Sequence, residues 1–306
     1  MPRIAIDFGG TKTAAALVDG AALLDRRQIA TPRASSDREL VAVLAELVAG
    51  WPALPIALAC TGWIEDGRLK PVNPSNISTG LSRDLPIRDG LAGRTGLPVV
   101  MMNDAQAAAW GEFRFGAGRG ARSMMFLTVS TGVGGGMVLD GRLQTGPQGF
   151  AGHVGHTVID PRGPLCGCGR RGCLEAIASG RAIEAAAGLA FGVPVSSRAV
   201  FEAAAENAMA LDLVTASAQA VATTLGNARA MLDLDCAVIG GSVGLAGGYL
   251  QRIESSLAAM PVLFRVPVQP ATLGADAALL GVADWAGTLE AAACVPPSQQ
   301  PSGEIR

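Results

Sequence analysis

One pattern occurs twice in this sequence and restricts the folds open to it. An apolar run ends in a cluster of glycines, a second apolar run follows, and an Asp-Gly pair closes it. In the first copy, residues 3–8 lead into Gly9-Gly10-Thr11-Lys12, residues 14–18 resume the run, and Asp19-Gly20 ends it. In the second, residues 124–130 lead into Thr131-Gly132-Val133-Gly134-Gly135-Gly136, residues 137–139 resume, and Asp140-Gly141 ends it. Short apolar runs bounded by turn residues read as strands, and Asp-Gly between them signals a hairpin. A unit that recurs in this way predicts two related halves facing each other.

The segments around the repeat read as an α/β chain. A third strand covers residues 23–30. Ser36-x-x-Glu39 is a capping box that opens a helix reaching about residue 48. Residues 55–60 read as a buried strand, and Asp66-Gly67 as a turn. Residues 98–102 form a strand that feeds Asn103-Asp104 and an alanine-rich helix. Beyond Cys173 the pattern is helical over residues 175–190 and 200–232. A last strand, residues 236–239, meets Gly240-Gly241 and a helix from about residue 245.

Composition excludes several classes. Hydrophobic residues make up 49% and charged residues 16%, unlike a disordered chain. The net charge is −2, and Lys and Arg nowhere form a basic run, which argues against nucleic acid as a partner. Uncharged stretches such as residues 123–139 are interrupted by Gly, Ser and Thr, and fall short of the ~18 apolar residues of a membrane helix. The first residues lack a signal-peptide succession, so a cytoplasmic protein with reduced thiols is expected.

Three motifs carry chemistry. Glycines in Asp7-Phe8-Gly9-Gly10-Thr11-Lys12 would let backbone N–H groups approach phosphate oxygens, with Thr11 and Lys12 adding a hydroxyl and a charge. A tight hairpin with a surface lysine fits the same residues. The chain has no G-x-x-x-x-G-K-[ST], and Gly167-Cys168-Gly169-Arg170-Arg171-Gly172, although G-x-G-x-x-G, follows no strand. Both histidines, His153 and His156, precede Cys166-Gly167-Cys168 and Cys173. His156 with the three cysteines makes a Cys3His set, the composition of a structural zinc site; the alternative is a group of reduced or redox-active thiols. Such a closed site leaves no position for an activated water. Asp104 stands at the end of a strand, where a carboxylate can take a proton from a hydroxyl. Asn103-Asp104 equally suits an ordinary helix cap, and Glu175 a first-turn glutamate favoured by the helix dipole.

Together these segments resemble the ROK family of sugar kinases and repressors, from about residue 3 to about residue 287. The resemblance rests on Asp7-x-Gly9-Gly10-Thr11-Lys12, Asn103-Asp104-Ala105, and Ser130-Thr131-Gly132-Val133-Gly134-Gly135-Gly136. It extends through Gly152-His153-Val154-Gly155-His156 and Cys166-x-Cys168-Gly169-x-x-Gly172-Cys173-x-Glu175. It implies an actin-like ATPase (ribonuclease H-like) α/β fold with two lobes and a cleft between them. Residues 1–105, rejoined by a helix near 275–288, would form the small lobe. Residues 106–274 would form the large lobe with the zinc loop, and 289–306 a disordered tail.

The implied reaction is phosphoryl transfer from ATP, with Mg2+, to a sugar 6-hydroxyl. Most sugar kinases of the family carry Glu where this chain has His153. That difference, with Asn73-Pro74-x-Asn76, Glu175–Arg181 and Gly240–Ala246, resembles the members that act on N-acetylmannosamine in sialic acid and amino sugar catabolism. Kinases of glucose or N-acetylglucosamine are the alternatives, and a non-catalytic sugar-responsive regulator is a further one.

By the same resemblance Asp104 is the general base. Asn76, Asn103, His153, His156 and Glu175 hold the sugar, and His156 also ligates zinc with Cys166, Cys168 and Cys173. Gly9, Gly10, Thr11, Lys12, Thr131, Gly132, Val133 and Gly134 cradle the ATP phosphates. Asp7 lies near the magnesium, and Gly240 and Gly241 near the adenosine. A homodimer is implied.

Overall fold

The computed structural model describes residues 1–72 and 81–293. Two five-stranded sheets form the frame. In the first, β1 (Arg3–Phe8), β2 (Lys12–Asp19) and β3 (Ala22–Ala30) make an antiparallel meander. On the other side of β1, β4 (Ile56–Cys60) pairs in parallel. A hairpin of β5 (Trp63–Glu65) and β6 (Arg68–Lys70) follows, and β7 (Val99–Asn103) then pairs in parallel with β4. The second sheet repeats this plan. Strands β8 (Met124–Val129), β9 (Val133–Leu139) and β10 (Arg142–Leu143) meander, and β11 (Cys236–Gly240) and β12 (Val268–Pro270) add in parallel beyond β8. The duplication in sequence is therefore a duplication in topology.

Burial explains the strand sequences. Every residue of β4 (IALAC) and β11 (CAVIG) is buried, as expected of central parallel strands covered on both faces. Helices α1 (Asp37–Leu47) and α2 (Ile87–Thr95) cover one face of the first sheet through Leu40, Leu44, Ile87 and Leu91. The other face packs small residues, Ala5, Ala57 and Ala59, against Leu279 and Val282 of the C-terminal helix and against α3 (Asp104–Phe115), which also meets β8 and β9. The second sheet carries α4 (Leu174–Ala178), α5 (Gly180–Phe191), α6 (Ser197–Ala203), α7 (Ala208–Leu232) and α8 (Tyr249–Ala258) around a core that includes Leu127, Val221 and Ile239. The C-terminal helix is α9 (Ala277–Ala293). Glu112 of α3 is fully buried and accepts the backbone N–H groups of Ala117, Thr272 and Leu273 at 2.8, 2.9 and 2.8 Å, which anchors the chain entering α9.

Several boundaries differ from the sequence reading. The first glycine loop is shorter, because the Gly9 N–H donates to the Lys12 carbonyl at 3.1 Å and β2 starts at Lys12. Gly134, Gly135 and Gly136 belong to β9, not to a loop. A Cβ on Gly134 would stand 2.9 Å from Ala105 Cβ, and one on Gly136 2.6 Å from Ala109 Cβ, so these glycines let the strand lie close under α3. The helix expected over 175–190 breaks at Ser179, whose hydroxyl caps α5 by accepting the Ala182 N–H at 3.1 Å. The helix expected over 200–232 divides after Ala203, and Asn207 caps α7. The helix expected from residue 245 begins at Tyr249, after Gly248 in a left-handed conformation (φ +77°). Helix α9 runs on to Ala293, past the expected start of the tail at 289, and residues 294–306 lie outside the described residues. Asp66 and Asp140, at φ 51° and 49°, with Gly67 and Gly141 form the expected hairpin turns. Helix α7 is the one described helix that is long and apolar enough by composition to cross a membrane, and 50% of that stretch is buried inside the protein.

Candidate functional site

A cleft of about 350 Å³ opens where the carboxyl ends of the parallel strands in the two sheets face each other. Ligands of open α/β sheets bind at this end, because the loops there point N–H groups and side chains outward. Gly10 and Thr11 line it from the first loop, Thr131 and Gly132 from the second, and Val133 and Gly134 from the start of β9.

The floor is the junction of β7 and α3. Asn103 is the cap of α3, its Oδ1 accepting from the Ala105 and Gln106 N–H groups at 2.9 and 3.1 Å. Asp104 is the first helical residue rather than the cap. Its Oδ1 accepts from Ala105 N at 2.8 Å and from Asn103 Nδ2 at 3.0 Å. Enclosure by the protein raises its pKa, against the hydrogen bonds from Ala105, its own N–H, Thr61 and Asn103. Both residues line the cleft.

His153, His156 and Glu175 line the opposite wall. His153 Nδ1 lies 3.0 Å from the Phe150 carbonyl, and burial lowers the pKa of the ring, which favours the neutral imidazole. Glu175, in the first turn of α4, accepts the Val133 N–H at 3.1 Å and so ties α4 to the second glycine loop.

Behind this wall, His156, Cys166, Cys168 and Cys173 place one ligand atom each within 4.8 Å of all the others. Cys166 Sγ is 3.5 Å from His156 Nδ1, and Cys168 Sγ is 3.7 Å from Cys173 Sγ. A tetrahedral zinc with Zn–S of about 2.3 Å has S–S edges of about 3.8 Å, so the donor set fits that ion. The turn geometry matches: Gly169 and Gly172 take φ +90° and +67°, and a Cβ on Gly172 would overlap the Asp160 carbonyl.

Other predicted residues do not line the cleft. Lys12 is exposed at the start of β2. Gly9, Gly240 and Gly241 are also outside the lining; beside Gly241, Ser242 is linked to Ser130 by a 2.9 Å hydroxyl pair. Asp7, at the end of β1, also lies outside the lining. Enclosure, then the charge of Asp104, push its carboxyl up to about 7, with Arg26 opposing. Asn76 lies outside the described residues. Thr61, Gly62 and Arg181 line the cleft and were not read from the sequence. Thr61 and Gly62 follow directly on β4, so their place at a parallel strand's carboxyl end was the available signal.

The sequence pattern of the ROK family matches residues 3–288. The chain belongs to the ROK family. It is 47% identical over 289 residues to an N-acetylmannosamine kinase from Yersinia pseudotuberculosis, covering 93% of this chain and 98% of that one. The ROK hexokinase from Thermus thermophilus superposes with a TM-score of 0.82 at 38% identity, covering 95% of this chain and 100% of that one. The ROK glucokinase from Streptomyces griseus, solved with glucose and AMPPNP, gives 0.79 at 32%, covering 93% and 99%. The fold of this ROK protein is the actin-like ATPase fold with two lobes.

Proposed function

We propose that this protein is a cytoplasmic sugar kinase that transfers the γ-phosphoryl group of ATP to the 6-hydroxyl of N-acetylmannosamine. The observation that carries the reaction is the enclosed carboxylate of Asp104, set in one cleft with both glycine loops. The substrate rests on the likeness to the Yersinia kinase and on His153, which stands where most sugar kinases of the family have Glu.

In this reading the sugar lies between Asn103 and the wall of His153, His156 and Glu175, with Asn76 as a further contact. Asp104 accepts the proton of the 6-hydroxyl as O6 bonds to the γ-phosphorus and the bridging bond to ADP breaks. Such transfer depends mainly on position and charge, so a carboxylate within hydrogen-bond reach suffices. The loops of residues 9–12 and 131–134 cradle the phosphates, with the N–H groups of Gly10, Thr11, Thr131 and Gly132 as donors, and Gly240 and Gly241 border the adenosine. Asp7, the carboxylate that stands near Asp104, is the hard oxygen donor placed to suit Mg2+. Magnesium bound with the triphosphate supplies charge neutralisation. His156, Cys166, Cys168 and Cys173 would hold a structural zinc that fixes the loop before Glu175. Residues 1–105 with the C-terminal helix, and residues 106–274, act as the two lobes of a homodimeric enzyme with no nucleic-acid partner.

A second reading, glucose as acceptor, draws on the Thermus and Streptomyces enzymes. His153 weighs against it, because a neutral imidazole offers one acceptor where a carboxylate offers two oxygens. The test is ADP release with ATP and magnesium on N-acetylmannosamine, N-acetylglucosamine, glucose and mannose. A kcat/KM largest for N-acetylmannosamine supports the proposal. A preference for glucose replaces the substrate, and release independent of any sugar overturns the kinase reading.

A further inference from the structure

His153 is held by an aromatic stack that bridges the two halves of the protein. Its ring lies flat on Phe150, with centroids 4.4 Å apart and planes at 9°. Phe150 in turn meets the edge of Trp63 at 5.7 Å and 78°. Trp63 begins β5, in the part of the chain that follows the first sheet. Phe150 and His153 follow the meander of the second. The carbonyl of Gly62, beside Trp63, also faces the imidazole, while Nε2 is buried without a hydrogen-bond partner.

The backbone around the stack is built for this contact. Trp63 Nε1 donates to the Gln148 carbonyl. Gly149 takes φ +71°, and a Cβ there would overlap the Ile64 carbonyl, so the two segments touch where only glycine fits. Gln106 of α3 donates its amide to the Gly149 and Ala151 carbonyls at 3.2 and 2.6 Å, holding Phe150 from both sides. Yet Phe150 remains 45% exposed. Burial alone does not account for an aromatic ring in this place. Flat stacking on the imidazole does, since aromatic pairs at these distances attract and restrict each other's orientation.

We propose that Trp63 and Phe150 are positioning residues that set the plane of His153 across the cleft, and that sugar selectivity depends on this stack. The proposal rests on the sugar-kinase reading above. The Trp63–Phe150 contact takes one ring from each half, so the support behind the His153 plane depends on how the two halves meet.

The test is calorimetric binding of N-acetylmannosamine and of glucose to the full, zinc-loaded chain, together with steady-state kinetics. The variants are Phe150→Leu, Trp63→Leu and the conservative Phe150→Tyr. In both Leu variants the Kd and KM for N-acetylmannosamine are expected to rise about threefold to tenfold. The selectivity over glucose should fall by a similar factor, with KM for ATP within twofold and zinc content unchanged. Phe150→Tyr should restore the wild-type values. Trp63→Leu acts from the opposite half, so misfolding of one variant leaves the other to decide. Wild-type sugar affinity and selectivity in a folded Leu variant would overturn the positioning role alone. A wild-type protein that binds none of these sugars would overturn the kinase reading, and the proposal with it.

Discussion

Gly281 of α9 and Gly111 of α3 face each other where the two helices cross. A Cβ on Gly281 would stand 2.7 Å from the Gly111 nitrogen and overlap the Ala107 carbonyl oxygen. Helix α9 spans the first sheet, and α3 carries Asp104, so this crossing sets the height of the cleft floor. Gly281→Ala is expected to push the helices apart and destabilise the protein by about 1–3 kcal/mol, the usual range for overpacking. Thermal unfolding checks this, with zinc content as a control for the distant loop. An unchanged melting temperature would mean that the crossing is looser than the geometry indicates.

Asp104→Asn keeps the shape at the start of α3 but removes the proton acceptor. Turnover is expected to fall about 10²- to 10⁴-fold, the range for loss of a general base. Sugar affinity, measured by calorimetry, should stay within a fewfold of wild type. Retained turnover would remove Asp104 from the proposed mechanism.

Asp7 gives a pH dependence whose sign can be worked out. Its carboxyl titrates near 3.9 in an unfolded chain and about 7 in the folded protein. The folded state therefore binds the proton more tightly. The stabilisation is complete below about pH 4 and is lost as pH rises through about 7. In protein freed of divalent cations, Asp7→Asn should flatten the fall in melting temperature between pH 5 and pH 8. Parallel pH curves for the two proteins would contradict the raised pKa.

Cys173 immediately precedes α4, so the zinc reading ties metal to the aim of Glu175. Cys173→Ser is expected to lose the metal measured by elemental analysis and to lower the melting temperature. It should also raise the sugar KM about tenfold or more, with KM for ATP little changed. A fully folded variant with unchanged sugar KM would detach the cluster from the cleft.

Much of the fold was legible because its signals are local. The strand–glycine–strand repeat, the Asp-Gly hairpins at Asp66 and Asp140, and the Ser36 cap each depend on neighbours in the chain. The spacing of His156, Cys166, Cys168 and Cys173 is local too, and the four meet in the structure. Helix breaks at Ser179 and before Tyr249 were harder to read, since alanine-rich sequence continues across the first, and only a single left-handed glycine marks the second.

The sequence by itself determined the two related halves, the carboxylate at the end of β7 and the Cys3His set. Chain direction and short-range geometry are enough for those. Only the tertiary structure decided that Gly134, Gly135 and Gly136 belong to a strand lying close under α3, that Lys12 stays outside the cleft lining, and that Thr61, Gly62 and Arg181 are part of it. It alone brought Trp63 onto Phe150, since that contact joins segments from different halves. Such contacts follow from how the sheets and helices pack against each other, and no period or spacing in the chain encodes that distance.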